Sequence, residues 1–396
     1  MRHNATNHIG LLIASLLLLG ACSKPGLQPG PGFRKALQEA LIQAKPGAVI
    51  EIPEGVHNID LPLSLTVDNV TLRGKGAATS ILSFKDQTSG PAGIQVTANH
   101  FTIEDLAVED TKGDGVKIKG SDGVTIRRFR AEWTGGAKET NGAYGIYPVE
   151  CKNVLIEDSV VRGASDAGIY VGQSTNIIVR RNTAEKNVAG IEIENSIGAD
   201  VYENTATANT GGILVFNLPD LPMQGGKQVR VYSNKITANN TPNFAPKGNM
   251  VAKVPAGTGL MVLAATQIEV FQNTIAANAS SSISVISYMS TGNPIKDPKF
   301  DPFVGSIYLH DNTITGGGDA PAGMAALIAK ASGTPVPQIL YDGIVNPATA
   351  SEKALCIRNN PGATFLNFDA AHGMKKPSTD LKSHDCALPA LPAVAL

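Results

Sequence analysis

Along most of this chain apolar and other residues alternate with period two in short runs, and the runs themselves recur. A Gly or Ser is followed by apolar, variable, apolar in Gly93-Ile94-Gln95-Val96, Gly115-Val116-Lys117-Ile118, Gly145-Ile146-Tyr147-Pro148 and Gly168-Ile169-Tyr170-Val171. The phrase continues at Gly190-Ile191-Glu192-Ile193, Gly212-Ile213-Leu214-Val215, Gly259-Leu260-Met261-Val262 and Ser282-Ile283-Ser284-Val285. The steps 93 to 115 (22), 145 to 168 (23), 168 to 190 (22), 190 to 212 (22) and 259 to 282 (23) are nearly constant. A second phrase runs in step with the first: Asn69-Val70-Thr71-Leu72, Gly123-Val124-Thr125-Ile126, Asn153-Val154-Leu155-Ile156 and Asn176-Ile177-Ile178-Val179. Period-two alternation makes strands, and a fixed recurrence of about 22 residues makes a solenoid whose units bury their apolar side against neighbours. The pattern predicts an all-β, single-stranded right-handed parallel β-helix with three short strands per coil.

A column of asparagines (Asn182, Asn204, Asn234, Asn273 and Asn312) recurs at one point of the coil. Stacked Asn at a corner predicts an amide ladder and αL turns, a shaping role without chemistry. Phe33 to Lys45 reads as an amphipathic helix, with Phe33, Leu37, Leu41 and Ile42 on one face, capping the open first coil. The period breaks within 131–143, at 218–227 and 240–258, and at 287–305. After Gly318 the pattern fades; 320–332 reads as a small helix and 354–368 as a last coil. The predicted organisation is 1–21 leader, 22–32 flexible tether, 33–318 β-helix with its cap, and 319–396 C-terminal cap or tail.

If the apolar residues of the first phrase point inward, their neighbours form an outward column: Gln95, Lys117, Tyr147, Tyr170, Glu192, Leu214 and Met261. A parallel column carries Lys119, Glu194 and Phe216, with Gln173 just beyond the strand of Tyr170. Aromatic faces with Lys, Asp and Glu suit a sugar polymer, the rings stacking on C–H faces and the charged groups taking hydroxyls or uronates. Lys117, Tyr147, Asp166, Tyr170 and Glu192 are the candidate catalytic groups. Tyr or Lys would act as base at a uronate α-carbon, or Asp166 with Glu192 as an acid/base pair for hydrolysis. Trp133, the one tryptophan, with Lys119, Glu194 and Gln173, is the candidate binding set, Trp133 walling the groove.

The remaining composition narrows the field. The 396 residues carry a formal net charge of −1, which gives no support for a nucleic-acid partner. No cofactor or metal is identified. Glu109, Asp110 and Asp114 offer a weak Ca²⁺ alternative, and Met250, Met261 and Met289 are too dispersed along the chain to mark copper. Of the four cysteines, Cys356 and Cys386 flank the non-repetitive tail and are placed to pair in an oxidising compartment, while Cys151 reads as a small buried hydrophobe.

Several segments carry resemblances. Residues 1–22 have a polar start and a short apolar stretch ending in Leu19-Gly20-Ala21-Cys22, which looks like a bacterial lipobox. That resemblance implies cleavage before Cys22, lipid on its sulfur, and a place in the bacterial cell envelope with the domain in the periplasm or at the cell surface. Ser23 rather than Asp after the cysteine favours the outer membrane over the inner. The helix-then-strand entry and Val70-Thr71-Leu72-Arg73-Gly74-Lys75-Gly76 resemble the start of pectin-lyase-like β-helix proteins, including those with carbohydrate-binding and sugar-hydrolase β-helix repeats. Tyr144-Gly145-Ile146-Tyr147-Pro148-Val149-Glu150 resembles the Tyr-Gly-x-Asp-Pro-His-Asp segment of mannuronan C5-epimerases, with Tyr147 and Val149 replacing its Asp and His and Glu150 its final Asp. The run at 166–174 and the Cys386-Ala387-Leu388-Pro389 ending are similar to exported β-helix lipoproteins, often paired with a second exported protein. Two functions are therefore expected. One is binding or modification (lyase, hydrolase or epimerase type) of an acidic polysaccharide. The alternative is a non-catalytic scaffold docking another exported protein through 218–258 and 287–305.

Overall fold

A computed structural model describes Met1, residues 26–349 and residues 353–396 of the chain. Residues 2–25, which hold all of the leader after Met1 together with Cys22 and the first part of the tether, lie outside the described residues. Three parallel sheets of 11, 10 and 11 strands run the length of the molecule. Their first strands are Val49–Glu51, Gly55–Asn58 and Leu63–Leu65, and each coil adds one strand to each sheet except the last, since the second sheet ends at Thr313–Thr315. This is the single right-handed parallel β-helix that the periodicity predicts.

The register follows the phrase that recurs in the sequence. In the third sheet Ile94, Val116, Ile146, Ile169, Ile191, Ile213, Leu260 and Ile283 stand in one inward row. All are essentially inaccessible to water. β-Branched side chains stacked at the inter-strand spacing of about 4.8 Å fill the prism along its axis. The helix α1 (Phe33–Ile42) closes the first coil with Phe33, Leu37 and Leu41 buried, while Ile42, about 100° around the helix from Leu41, is exposed and does not share their face. Leu27, in the stretch expected to be tether, packs against the same core.

The coil does not stop at residue 318. Strands Ile339–Tyr341, Leu355–Arg358 and Phe365–Asn367 continue the sheets in register. The fading pattern marks an insertion holding helix α2 (Gly323–Ser332), not the end of the solenoid. Cys356 and Cys386 are joined by a disulfide, and Cys151 is buried and has no disulfide partner among the described residues. Beyond Cys386 the chain runs back across the outer face of the first sheet, where Leu391 N donates to Glu269 Oε2 at 3.0 Å and Val394 N to Asp200 Oδ2 at 3.2 Å. Closing a loop with a sequence separation of 30 constrains the unfolded chain, so Cys386→Ser is expected to cost about 3 kcal/mol in urea unfolding. Reductant should destabilise the wild type by a similar amount and leave the variant unchanged.

The asparagine column is a buried ladder. Asn204 Oδ1 accepts from both Asn182 N (2.9 Å) and Asn182 Nδ2 (3.0 Å), and Asn204 Nδ2 donates to Val179 O (2.9 Å) and Asn234 Oδ1 (3.0 Å). The αL conformation belongs to the residue before each asparagine: Arg181, Glu203, Ser233, Gln272 and Asp311 have φ near +55°. A second ladder at Asn187, Asn209, Asn239 and Asn278 stands on the next corner.

Candidate functional site

The outer face of the third sheet was expected to meet solvent, and over half its length it does not. Tyr170, Glu192, Leu214 and Met261 pair rung by rung as the register predicts, yet all four are buried. Glu194 and Phe216 on the neighbouring column are buried too. The insertions at 240–258 and 287–305 fold over this face and form a second apolar core, with Val251, Val254, Tyr288 and Phe300 packed against Tyr170, Leu214, Phe216 and Met261. These are the loops that the scaffold alternative assigns to a partner, and much of their apolar surface is spent within the chain.

Where the cover ends, the expected groups come together. Tyr144, Tyr147 and Tyr170 form a three-ring cluster with centroids 4.4, 4.6 and 5.1 Å apart. Lys117 Nζ sits 4.8 Å above the Tyr147 ring, within cation–π range. Lys117 and Tyr147 are half-buried and form the open side of the site. Tyr170 Oη donates to Glu194 Oε1 at 2.6 Å, and Gln173 Nε2 donates to Tyr170 Oη (3.1 Å) and Glu194 Oε1 (3.3 Å). Gly172 makes this possible: a Cβ there would lie 2.3 Å from Tyr170 Oη, so only glycine lets the phenol lie across the strand. Gln173 and Glu194 thus position Tyr170 from beneath.

Four carboxyl groups share this patch, and burial raises the pKa of each. Asp114, 8 % exposed, is pushed up to about 6 by burial against the opposing pull of Lys117, and its Oδ1 accepts from Tyr144 N at 3.3 Å. Asp166, 6 % exposed, is pushed up to about 7 by burial, while the Asn249 amide, 2.8 Å from Oδ2, holds it down and the charges of Glu194 and Asp114 add to the rise. Glu192 is raised well above the ordinary carboxyl range, first by burial and then by Glu194 and Asp166. Glu194 is raised by burial, with the hydrogen bonds from Tyr170, Glu192 and Gln173 opposing. Two adjacent buried carboxyls with raised pKa values keep a proton on Glu192, which donates to Glu194. Glu192 Oε2 finds no partner among the described residues. Burial and the neighbouring carboxylates push Tyr147 up to about 12 and Tyr144 and Tyr170 higher, so all three phenols stay neutral.

Other expectations resolve differently. Trp133 does not wall the groove: it is 5 % exposed and its indole Nε1 donates to Thr111 O at 2.8 Å. The residues that follow it, 134–140, are the exposed part of that insertion. Lys119 is exposed and paired with Glu150 at 3.2 Å. Of the three carboxylates behind the Ca²⁺ alternative, Glu109 pairs with Arg130 at 2.6 Å, Asp110 caps Thr134 and Asp114 is buried against Tyr144. Asn249 is the group that the sequence reading missed. It reaches Asp166 from the insertion at 240–258, and no repeat pattern marks it.

The profile described as "Right handed beta helix region" matches residues 65–221 and 140–323. No curated protein matches the chain. Among solved structures, the A-module of the mannuronan C-5 epimerase AlgE4 from Azotobacter vinelandii superposes with a TM-score of 0.53 at 18 % identity, covering 85 % of this chain and 91 % of its own. A hyperthermoactive exopolygalacturonase from Thermotoga maritima gives 0.54 at 11 % identity, over 84 % and 83 %. A family 28 exopolygalacturonase from Yersinia enterocolitica gives 0.54 at 13 % identity, over 72 % and 63 %. At these identities the likeness is one of fold.

Proposed function

Since the chain belongs to the right-handed β-helix family, we propose that it binds an acidic polysaccharide at the open end of the third sheet's outer face and modifies it by carboxyl acid/base chemistry. The observation that carries this reading is the pair Asp114 and Asp166, set on either side of Tyr144 where the covered face ends, their carboxyls pushed up to about 6 and about 7 by burial. A carboxyl that titrates near neutrality can be protonated as a general acid while its partner acts as base. Asp114 lies two rungs from Asp166, roughly 10 Å along the stack at about 4.8 Å per rung. A two-rung separation lies nearer the roughly 6.5–9.5 Å carboxyl spacing of water-mediated glycoside hydrolysis than direct carboxyl contact does. Lys117 supplies the cation for a uronate and Tyr147 the ring for a sugar face. The neutral phenols argue against Tyr147 or Tyr170 as the base of a lyase or epimerase and leave Lys117 alone for that role, while the Asp114–Asp166 pair favours hydrolysis.

In this reading the domain is held on a membrane of the bacterial cell envelope, the outer membrane favoured, and the lipobox-like Leu19-Gly20-Ala21-Cys22 with Ser23 after it supports that. The Cys356–Cys386 disulfide supports an oxidising compartment. The test is incubation with a panel of uronate polysaccharides, reading new reducing ends, unsaturated ends and sugar configuration separately. Asp166→Asn is expected to lower turnover by about 10²–10⁴-fold with binding retained, and Lys117→Ala to weaken binding. Absence of binding to any acidic glycan, or full turnover in Asp166→Asn, would overturn the reading.

A further inference from the structure

Beyond the carboxyl cluster, the same sheet face holds a second feature of different chemistry. Between the third sheet, the 250–255 segment, the 288–291 turn and helix α2 lies a partly enclosed cavity of about 210 Å³. Its walls are apolar: Met250, Met261, Leu263, Ile286 and Ile328 line it, and Met324 stands at the helix side. Met324 and Leu327, the next residue but two along α2, are exposed large apolar side chains. Three of the lining residues are methionines, whose unbranched thioethers adapt to varied apolar shapes. The lining hydroxyls are largely engaged: Ser281 and Ser284 bond each other at 2.8 Å, and Ser290 donates to Asp342 at 2.7 Å. The lining is therefore poor in groups that would orient a polar ligand.

One charge breaks the apolar character. Lys253, exposed, belongs to the lining. Its ammonium donates to Thr291 O at 3.1 Å and to Asn293 Oδ1. An ammonium has three donors, so one remains for an anion. A cavity of about 150 Å³ already accepts benzene, and this one exceeds it, with room for a ring or a chain of roughly eight carbons. From the apolar walls and the lysine together, we infer that the cavity binds an anionic amphiphile, a short acyl or alkyl chain whose acidic head meets Lys253. The chain can come from a free fatty acid or from an alkylated acidic sugar, and the recognition is shared. The inference does not depend on the carboxyl cluster being catalytic.

Titrating the full chain with octanoate, octanol and octyl glucuronide by calorimetry tests it. Octanoate or octyl glucuronide is expected to bind saturably, and the tighter of the two identifies the source of the chain. Ala325→Phe, which fills the cavity from α2, is expected to weaken the preferred ligand at least about tenfold. Ser284→Leu, filling from the sheet, should do the same, so the test survives if one variant fails to fold. Lys253→Ala should weaken the acid severalfold and leave octanol unchanged. Absence of saturable binding to the wild type, undiminished binding in a folded filled variant, or equal affinity for octanoate before and after Lys253→Ala would overturn it.

Discussion

Asn204→Ala is expected to lower the free energy of unfolding by about 4 kcal/mol, although Asn204 does no chemistry. Its side chain accepts two donors from Asn182 and donates to Val179 O and Asn234 Oδ1. Alanine leaves the Asn182 N–H and the Val179 carbonyl without these partners where water does not reach, since Asn182 and Asn204 are 1 % exposed and Val179 fully buried. An orphaned buried polar group costs about 1–3 kcal/mol, so two of them reach the expected figure. Asn153→Gly is the comparison, glycine keeping the left-handed turn that Asn153 makes at φ +54°. Asn153 is partly exposed and donates to Asp122 at 2.6 Å, so its loss should cost about 1 kcal/mol or less. Equilibrium urea unfolding of both variants checks the difference. A cost below about 1 kcal/mol for Asn204→Ala would mean that water takes over these bonds.

The same asparagines show how far the sequence could be read. Their recurrence in step with the apolar phrase marks them as corner residues, because only stacked positions share a spacing. The sequence could not show which corner residue takes the αL turn. Asn is the type that tolerates it best, but here its amide is committed to the coils on either side, and the turn falls on Arg181, Glu203 or Ser233. Inward positions such as Ile169 and Ile191 were legible for the same reason of period. The solvation of the outward positions was not, because it depends on non-periodic insertions far away in the chain. A signal was nevertheless present. Strands Gly211–Phe216 and Thr258–Leu263 are apolar on both faces, and Leu214 with Phe216, then Met261 with Leu263, would not be repeated outward on consecutive rungs unless something covered them. Reading that signal predicts a covered face ending near Tyr170, which is where the carboxyl cluster begins.

That cover leads to the second large effect, a loss of stability as pH rises. Asp114, Asp166, Glu192 and Glu194 all have folded-state pKa values above their ordinary ones. Over the interval between the ordinary and the raised values the folded protein holds protons that the unfolded chain has released. The stabilisation is therefore complete below about pH 4 and is lost progressively as pH climbs through about 6 for Asp114 and about 7 for Asp166. Asp166 moves from 3.8 to about 7. At about 1.4 kcal/mol per unit, this residue alone contributes on the order of 4 kcal/mol between pH 4 and pH 8. Glu104, Asp105 and Asp158, held low by arginines, act in the opposite sense but below about pH 4, outside this window. His384, whose pKa burial lowers, opposes the loss within it and is outweighed by the four carboxyls. Glu192→Gln keeps a donor for Glu194 and removes one titrating proton, so its stability should decline less steeply. Urea unfolding at pH 5 and pH 8 reads both. A wild type equally stable at the two values, or a Glu192→Gln profile as steep as the parent's, would show that these carboxyls are hydrated and ionised, and the acid/base pair at Asp114 and Asp166 would lose its physical basis with them.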